Sequence, residues 1–384
     1  MIKDRDIIYF SADDWGCGLI TSQTHIAKVL SKNNRILYIN SIGLRRPSIS
    51  THDAKKIVTK LKKCLAGINQ VEKNVYVVTP LVIPFHQYSF VRQINRKLLL
   101  GTIKHFMKKL GFRRPILWTY LPNTGDFVKL LKEEQSLYYC VDEFSEFEGV
   151  PAKEIREMEE KLMNKTDYVF CTSRELFNKK SKYNRNSFYM PHGVDIDHFT
   201  QALDEKTKIP DDIMLIPRPR IGFYGGIEEW VDLELLKQTA EKHPDWHLVL
   251  IGREKVNTSK LANLRNVHLL GHRPYELLPA YSKGFDVSLI PFVINELTRN
   301  VNPIKLREYL AAGNPVVSTY LPELEEYKDI IVLASNYDEF IGGIETALRD
   351  NSSSSREKRI QRVKSESWES RVEQVSNIIL SSLK

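Results

Sequence analysis

Short apolar runs alternate with amphipathic stretches along nearly the whole chain. In the first half the strand-like runs are Ile7 to Phe10, Arg35 to Asn40, Val75 to Thr79, Ile116 to Tyr120, Leu137 to Val141, Tyr168 to Thr172 and Ser187 to Met190. Between them the spacing predicts helices over Thr21 to Ser31, Phe90 to Leu110, Thr124 to Lys132 and Pro151 to Lys165. Strand and helix in alternation predict a parallel sheet covered on both faces. The pattern lapses after Asp195. There, Asp204 to Asp212 and Pro217-Arg218-Pro219-Arg220 offer proline and charge without periodicity, as a linker does. A second series follows, with strands at Arg220 to Tyr224, Trp246 to Ile251, Val267 to Leu269, Val287 to Pro291, Val316 to Ser318 and Ile330 to Leu333. Its helices are expected over Leu233 to Glu241, Tyr275 to Lys283, the segment around Lys305, and Tyr337 to Arg349. The fold class is therefore α/β, with two doubly wound domains over 1–195 and 219–365, a linker over 196–218 and a C-terminal helix over 366–384. Asn351 to Ser355 is expected to be a flexible turn.

Open α/β sheets bind ligands outside the carboxyl ends of their strands, so the loops there are where chemistry is sought. The most informative stretch is Asn302-Pro303-Ile304-Lys305-Leu306-Arg307-Glu308-Tyr309-Leu310-Ala311-Ala312-Gly313-Asn314-Pro315-Val316-Val317. It reads as a loop, a helix, a glycine stop and a buried strand. Lys305 and Glu308 share one face of the first helical turns, where unpaired N–H groups and the helix dipole favour an anion. A diphosphate carrying a ribose fits this arrangement: phosphate on the N–H groups and Lys305, ribose hydroxyls on Glu308. The same spacing suits an ordinary solvated Lys/Glu pair.

The stretch resembles the donor-site helix of GT-B glycosyltransferases, written Pro-x-Lys-x-x-Glu-Tyr-x-Ala-x-Gly-x-Pro-Val-Val. Two further islands, Met190-Pro191-His192-Gly193-Val194-Asp195 and Gly222-Phe223-Tyr224-Gly225-Gly226, occur in the order that family shows. The resemblance covers most of the chain and is to group 1, family 4-like members, with features of the glucuronosyltransferase-like branch. It implies two Rossmann-like domains facing across a cleft, with acceptor on the first, nucleotide sugar on the second, and the C-terminal helix returning to the first. It assigns Lys305 to the donor diphosphate and Glu308 to its ribose, with Asn302, Pro303 and Ile304 leading into the helix. Backbone groups around Gly271-His272-Arg273 would hold the base, and His192-Gly193 would form a hinge loop beside the phosphates. Gly225 and Gly226, lacking side chains, would let a phosphate or sugar approach the backbone. Arg299 is placed to add charge at the leaving phosphate, or is a solvated loop arginine.

Two departures stand out. Many retaining members carry a glutamate eight residues before the ribose glutamate, and here that position is Asn300, with Glu296 four residues earlier. They also often place Arg and Lys after the first glycine strand, where this chain reads Ile227-Glu228-Glu229-Trp230-Val231-Asp232. Retention and inversion both stay open.

For an inverting transfer a carboxylate must act as base on the acceptor hydroxyl. Asp142, ending a buried strand where partial desolvation raises basicity, is the first candidate. Asp14, in Ser11 to Gly18, and Glu143 are its rivals, and loop bracing is the alternative role for each. Lys305, the helix N-terminus and Arg299 would neutralise the phosphate charge and Asp13-Asp14 lacks the spaced carboxylates a metal site needs, so no metal is expected, and the nucleotide sugar is a substrate rather than a cofactor.

Charge adds a partner. Residues 1–132 hold 23 Lys/Arg and 7 Asp/Glu, a net of +16, whereas the rest of the chain is at −8. Lys55-Lys56, Lys60 and Lys62-Lys63 alternate with Ile57, Val58, Leu61 and Leu65. Arg92, Arg96-Lys97, Lys104 and Lys108-Lys109 accompany Leu98 to Leu100, Ile103, Phe106 and Met107. Basic amphipathic helices of this kind suit an anionic membrane surface, although a core-facing helix with a solvated charged face has the same pattern. No nucleic-acid module is recognisable. The N-terminus lacks a signal-peptide pattern and no apolar run is long enough to span a bilayer, so a cytoplasmic protein held peripherally at the inner membrane face is expected. Cys17, Cys64, Cys140 and Cys171 lack ligand or disulfide spacing and are expected to be free thiols. Two other classes share the expected fold: sugar-nucleotide epimerases, and non-catalytic subunits that bind a sugar nucleotide or polymer.

Overall fold

The computed structural model of the chain describes residues 1–18, 20–43, 62, 64, 66–83, 88–350 and 352–381. The basic segment Lys55 to Leu65 lies outside them, apart from Lys62 and Cys64. The chain forms two compact units: Met1–Pro191 with Arg371–Lys384, and His192–Ser370.

Among the described residues, the first unit is built on eight strands: β1 (Asp6–Phe10), β2 (Arg35–Ile39), β3 (Ile68–Glu72), β4 (Val75–Val78), β5 (Ile116–Thr119), β6 (Gln135–Cys140), β7 (Tyr168–Cys171) and β8 (Ser187–Tyr189). Their order in the sheet is β3-β4-β2-β1-β5-β6-β7-β8, and every pairing is parallel except that of β3 with β4. The order reverses between β1 and β5, which makes the carboxyl ends of those two strands the switch point where such sheets take ligands. Strands covered on both faces read as continuous apolar runs, and all six residues of β6 are buried. One face carries a row of rings, Tyr38, Tyr9, Trp118, Tyr139, Phe170 and Phe188, with neighbouring centroids 5.4 to 6.0 Å apart. Contacts of this kind stiffen the sheet that carries the loops beyond it.

The second unit holds six parallel strands: β9 (Arg220–Tyr224), β10 (His247–Ile251), β11 (Val267–Gly271), β12 (Val287–Ile290), β13 (Val316–Thr319) and β14 (Val332–Ala334). They lie in the order β11-β10-β9-β12-β13-β14. The switch point is between β9 and β12.

Four segments differ from the sequence reading. β3 was not anticipated, because Ile68-Asn69-Gln70-Val71-Glu72 is an exposed edge strand with almost no apolar face. Thr124 to Lys132 is not a helix. It is a short 3-10 turn at Pro122–Thr124 followed by turns, with Lys129 and Lys132 at positive φ. The Glu133 carboxylate accepts the N–H groups of Lys129 and Leu131, taking the place of helical carbonyls. Residues 196–218, read as a linker, belong to the second unit. They form the short helices Ile196–Phe199 and Asp211–Met214 and bury Phe199, Ala202, Ile213 and Ile216. Those apolar residues are too sparse among prolines and charges to show a period. Finally, the serine run is not a flexible turn, since Ser352 caps the helix Ser353–Val363 by accepting the Ser355 N–H at 3.1 Å. Only Arg359 and Val363 of that helix are buried, so its amphipathic signal is weak.

Among the described residues no helix is long and apolar enough to cross a membrane. In the helix Ser89–Leu110, Val91, Asn95, Leu99 and Ile103 face inward, while Phe90, Ile94 and Leu98 form an exposed stripe at four-residue spacing.

Candidate functional site

At the switch point of the second unit, Pro303 precedes the helix Ile304–Ala311 and no side chain caps it, so its first N–H groups remain available. Glu308 is buried and Lys305 half-buried. The Lys305 side chain lies directly over Gly225, which follows β9: a Cβ added at Gly225 would stand 2.1 Å from Lys305 Cε and 2.7 Å from its Nζ. Gly225 has φ of 143°, a value that only glycine adopts readily. Glycine is therefore demanded here twice, by its backbone angle and by the passage of the lysine.

The electrostatics of the pair follow from enclosure. Burial pushes the Glu308 carboxyl up, with Asp195 adding to the rise, while Lys305 and the Tyr224 hydroxyl oppose it; the outcome is about 7. Burial lowers the Lys305 ammonium, opposed by Glu308 and Glu228. Each charged form is thus costly by itself, and a diphosphate beside Lys305 would favour its ammonium. Tyr309, one position beyond Glu308, accepts the Tyr224 N–H at 3.0 Å through its hydroxyl and fixes the helix against the end of β9.

The other donor-side candidates fall into different environments. Asn302 is buried, donates to Glu323 Oε1 at 3.1 Å, and accepts from Arg307 Nη1 at 2.6 Å. It braces the loop from within. Pro303 is buried and Ile304 half-buried. The Arg273 guanidinium is committed to Asp212 (2.7 Å) and to the Tyr281 hydroxyl (2.7 Å), so of Arg273 only the backbone remains for a base. Arg299 is exposed at the end of the short helix Glu296–Arg299, and Asn300 is fully buried, donating to Glu296 O at 2.6 Å. His192-Gly193 is sealed against the chain before the last helix: Val194 N donates to Glu366 O at 2.9 Å, and a Cβ at Gly193 would lie 2.8 Å from Trp368 N.

Behind the site, fully buried Arg307 reaches Glu366 at 2.7 Å, and the Tyr327 hydroxyl donates to the same carboxylate at 2.9 Å. Glu366→Ala leaves that guanidinium without its carboxylate. Loss of one partner from a buried pair costs about 3–5 kcal/mol, so a large drop in unfolding midpoint is expected in chemical denaturation. A change within 0.5 kcal/mol, roughly the surface level, would show that the network carries no stability.

On the first unit, the half-buried Asp142 carboxyl is pushed up to about 7 by burial, then by the negative charges of Asp13 and Glu143. Adjacent Glu143 is differently placed. It is buried and paired with Lys180 at 2.9 Å, and Lys180 also reaches Glu159 at 2.6 Å. The Tyr138 hydroxyl donates to Glu159 at 2.7 Å. Glu143 is thus spent on bracing the loop that carries Asp142. Asp14 sits half-buried after β1, in a loop held by Ser11, which donates to Gln23 Oε1 at 2.7 Å, and by Trp15 N, which donates to Asn40 Oδ1 at 2.9 Å. A carboxyl raised to about 7 is what a general base at Asp142 would need near neutral pH.

Two α/β sheets with this strand order, and a lysine-glutamate helix at the switch point of the second, can be compared with known proteins. Residues 218–350 match the family model of Glycosyl transferases group 1. The chain is 15% identical to sucrose-phosphate synthase from Thermosynechococcus elongatus, with a TM-score of 0.70 over 99% of both chains. It is 12% identical to Anabaena HepE, whose structure is a complex with UDP and glucose, at a TM-score of 0.65 over 98% of this chain and all of that one. The chain has the GT-B fold of glycosyltransferases. In sequence it is 28% identical over 226 residues to the putative teichuronic acid biosynthesis glycosyltransferase TuaH of Bacillus subtilis (strain 168). That match covers 54% of this chain and 56% of the relative, so the chain matches only about half the length of that protein.

The GT-B chain also holds a space that motif reading missed. A cavity of about 230 Å³ in its first unit lies beyond the carboxyl ends of β2, β4 and β5, between the helices Ser89–Leu110 and Ala152–Lys165. Leu99, Phe127 and Met158 give it apolar walls, and Arg96, Glu154 and Glu157 add charge of both signs. No motif announces it, because its lining comes from segments far apart in sequence.

Proposed function

We propose that this chain is a metal-independent glycosyltransferase that moves a sugar from a UDP-linked donor to a lipid-linked or glycan acceptor at the inner face of the membrane. The observation that carries the reading is the placement of Lys305 over the backbone of Gly225 with Glu308 one turn away, at the switch point of the second sheet. Lys305 and the helix N-terminus would take the diphosphate, so that negative charge developing on the leaving group is met by fixed protein charge. Glu308 would accept ribose hydroxyls. Asp142 would remove the proton from the acceptor hydroxyl, and the first unit would hold the acceptor. UDP release from a panel of UDP-sugars by the purified protein is the test. Release is expected with at least one sugar, interconversion without release would instead mean an epimerase, and failure to bind any nucleotide would end the reading.

Membrane attachment is proposed from the helix Ser89–Leu110. Its exposed Phe90, Ile94 and Leu98 are accompanied by Lys97, Lys104 and Lys108, which suits an apolar stripe entering lipid with lysines at anionic headgroups. Co-sedimentation with vesicles containing phosphatidylserine, lost in Phe90→Glu and absent with neutral vesicles, is the expected result; equal binding to both would remove the electrostatic argument.

A further inference from the structure

The loop after β9 carries a glutamate where the resemblance led us to expect a cation, and the structure gives that glutamate a place in the donor site. Glu228 is buried, with 8% of its surface exposed. Its Oε1 lies 2.6 Å from where a Cβ at Gly226 would stand, so the carboxylate lies over Gly226 as the Lys305 side chain lies over Gly225. Glu228 and Glu308 are the two carboxylates that act electrostatically on the Lys305 ammonium. The lysine therefore sits in the field of two acids, one on its own helix and one on the loop beyond β9.

The loop holding Glu228 is rigidly built. Ile227 bridges to Glu254 in parallel, with Ile227 N donating to Arg253 O at 3.0 Å and Lys255 N donating to Ile227 O at 2.9 Å. Val231 bridges to Phe292 on the other side. Both Ile227 and Val231 are buried. Lys255 then pairs with Glu228 Oε1 at 2.7 Å, which holds the carboxylate turned toward the glycines. Asn300 is occupied with Glu296 and offers no carboxylate of its own.

A carboxylate beside a diphosphate would only repel it, so its use must lie with another part of the donor. We infer that Glu228 receives hydroxyl groups of the transferred sugar, making it the residue that recognises a neutral hexosyl donor, with Lys255 as the group that positions it. This rests on the proposed UDP-sugar reading and extends it. An ionised carboxylate accepts up to four hydrogen bonds and donates none, which matches vicinal sugar hydroxyls as donors. A buried acceptor of this type discriminates, since a ligand without the hydroxyls leaves the acceptor sites not taken by Lys255 unfilled.

The test is calorimetric titration of wild type, Glu228→Gln and Glu228→Ala with UDP and with UDP-glucose, UDP-galactose and UDP-N-acetylglucosamine. In the wild type one of these sugars should bind more tightly than UDP. Both variants should lose that advantage, by about tenfold, while UDP affinity stays the same or rises, because a negative charge has left the phosphate site. Lys255→Met should lose part of the same advantage. Equal losses for UDP and UDP-sugar would make Glu228 merely structural, and an unchanged advantage would remove it from the sugar site; either overturns the inference while leaving the transferase reading intact. Failure of the wild type to bind UDP at all would instead defeat the parent reading.

Discussion

Replacing Lys305 by alanine is expected to weaken UDP binding by about 10- to 150-fold, the range that follows from losing hydrogen bonds to a charged group worth about 1.5–3 kcal/mol. The size follows from position. The lysine is held over Gly225 between the N-terminus of its helix and the end of β9, where partial burial limits competition from water. Its ammonium is lowered by burial in the folded protein, so the charged form contributes no stability that the mutation could remove. Thermal unfolding should consequently change little, which separates loss of binding from loss of fold. Titration calorimetry with UDP measures the effect directly. An affinity within twofold of wild type would remove Lys305 from the diphosphate site.

Asp142→Asn is expected to lower sugar transfer by about 10²- to 10⁴-fold, the usual contribution of a general base, with UDP affinity unchanged. In the wild type the acidic limb of the transfer rate should rise through pH about 7, because Asp142 would serve as a base only when ionised and its carboxyl is raised to that value by burial, Asp13 and Glu143. The same shift has a consequence for stability. A carboxyl raised on folding favours the native state most below the ordinary carboxylate range, and this advantage is lost as pH rises through about 7. Asp142→Asn removes the penalty of the buried charge, so its melting temperature should exceed that of wild type at pH 8 but not at pH 4. An inactive yet more stable variant at pH 8 is the pattern of a functional group held at a cost in stability. Product stereochemistry bears on the same residue: an α-linked product from an α-linked donor, read by NMR, would exclude Asp142 as an inverting base.

Much of the fold was readable from periodicity. Among the described residues, all six strands of the second sheet and thirteen of the fourteen strands were found to within a few residues, since strands covered on both faces are continuous apolar runs. β3 escaped because an edge strand exposes its residues and needs no such run. The false helix at Thr124 to Lys132 had a helical spacing of apolar residues. What decided against it was the Glu133 carboxylate taking backbone N–H groups, a choice no periodicity records. The capped helix after Ser352 was missed for the opposite reason, as its buried face is an arginine and a single valine. At the candidate site, spacing drew attention to Lys305 and Glu308 and the family resemblance added Gly225, while Asp142 was preferred to its rival Glu143 only for its place at the end of a buried strand. Lys180, 37 residues further on, separates them by pairing with Glu143. Glu228 looked like a missing cation until its contacts with Gly226 and Lys255 were known.

By itself, then, the sequence determined two doubly wound sheets and the helix that carries Lys305 and Glu308, because these depend on local periodicity; that the lysine lies over Gly225 was decided by the fold. Tertiary structure decided which charged groups are available and which are spent. That depends on partners distant in the chain, such as Lys180 with Glu143, Asp212 with Arg273 and Lys255 with Glu228, and on the burial that raises Asp142 and Glu308 toward neutrality. Desolvation and pairing arise only when separate segments meet, so no local pattern can carry them.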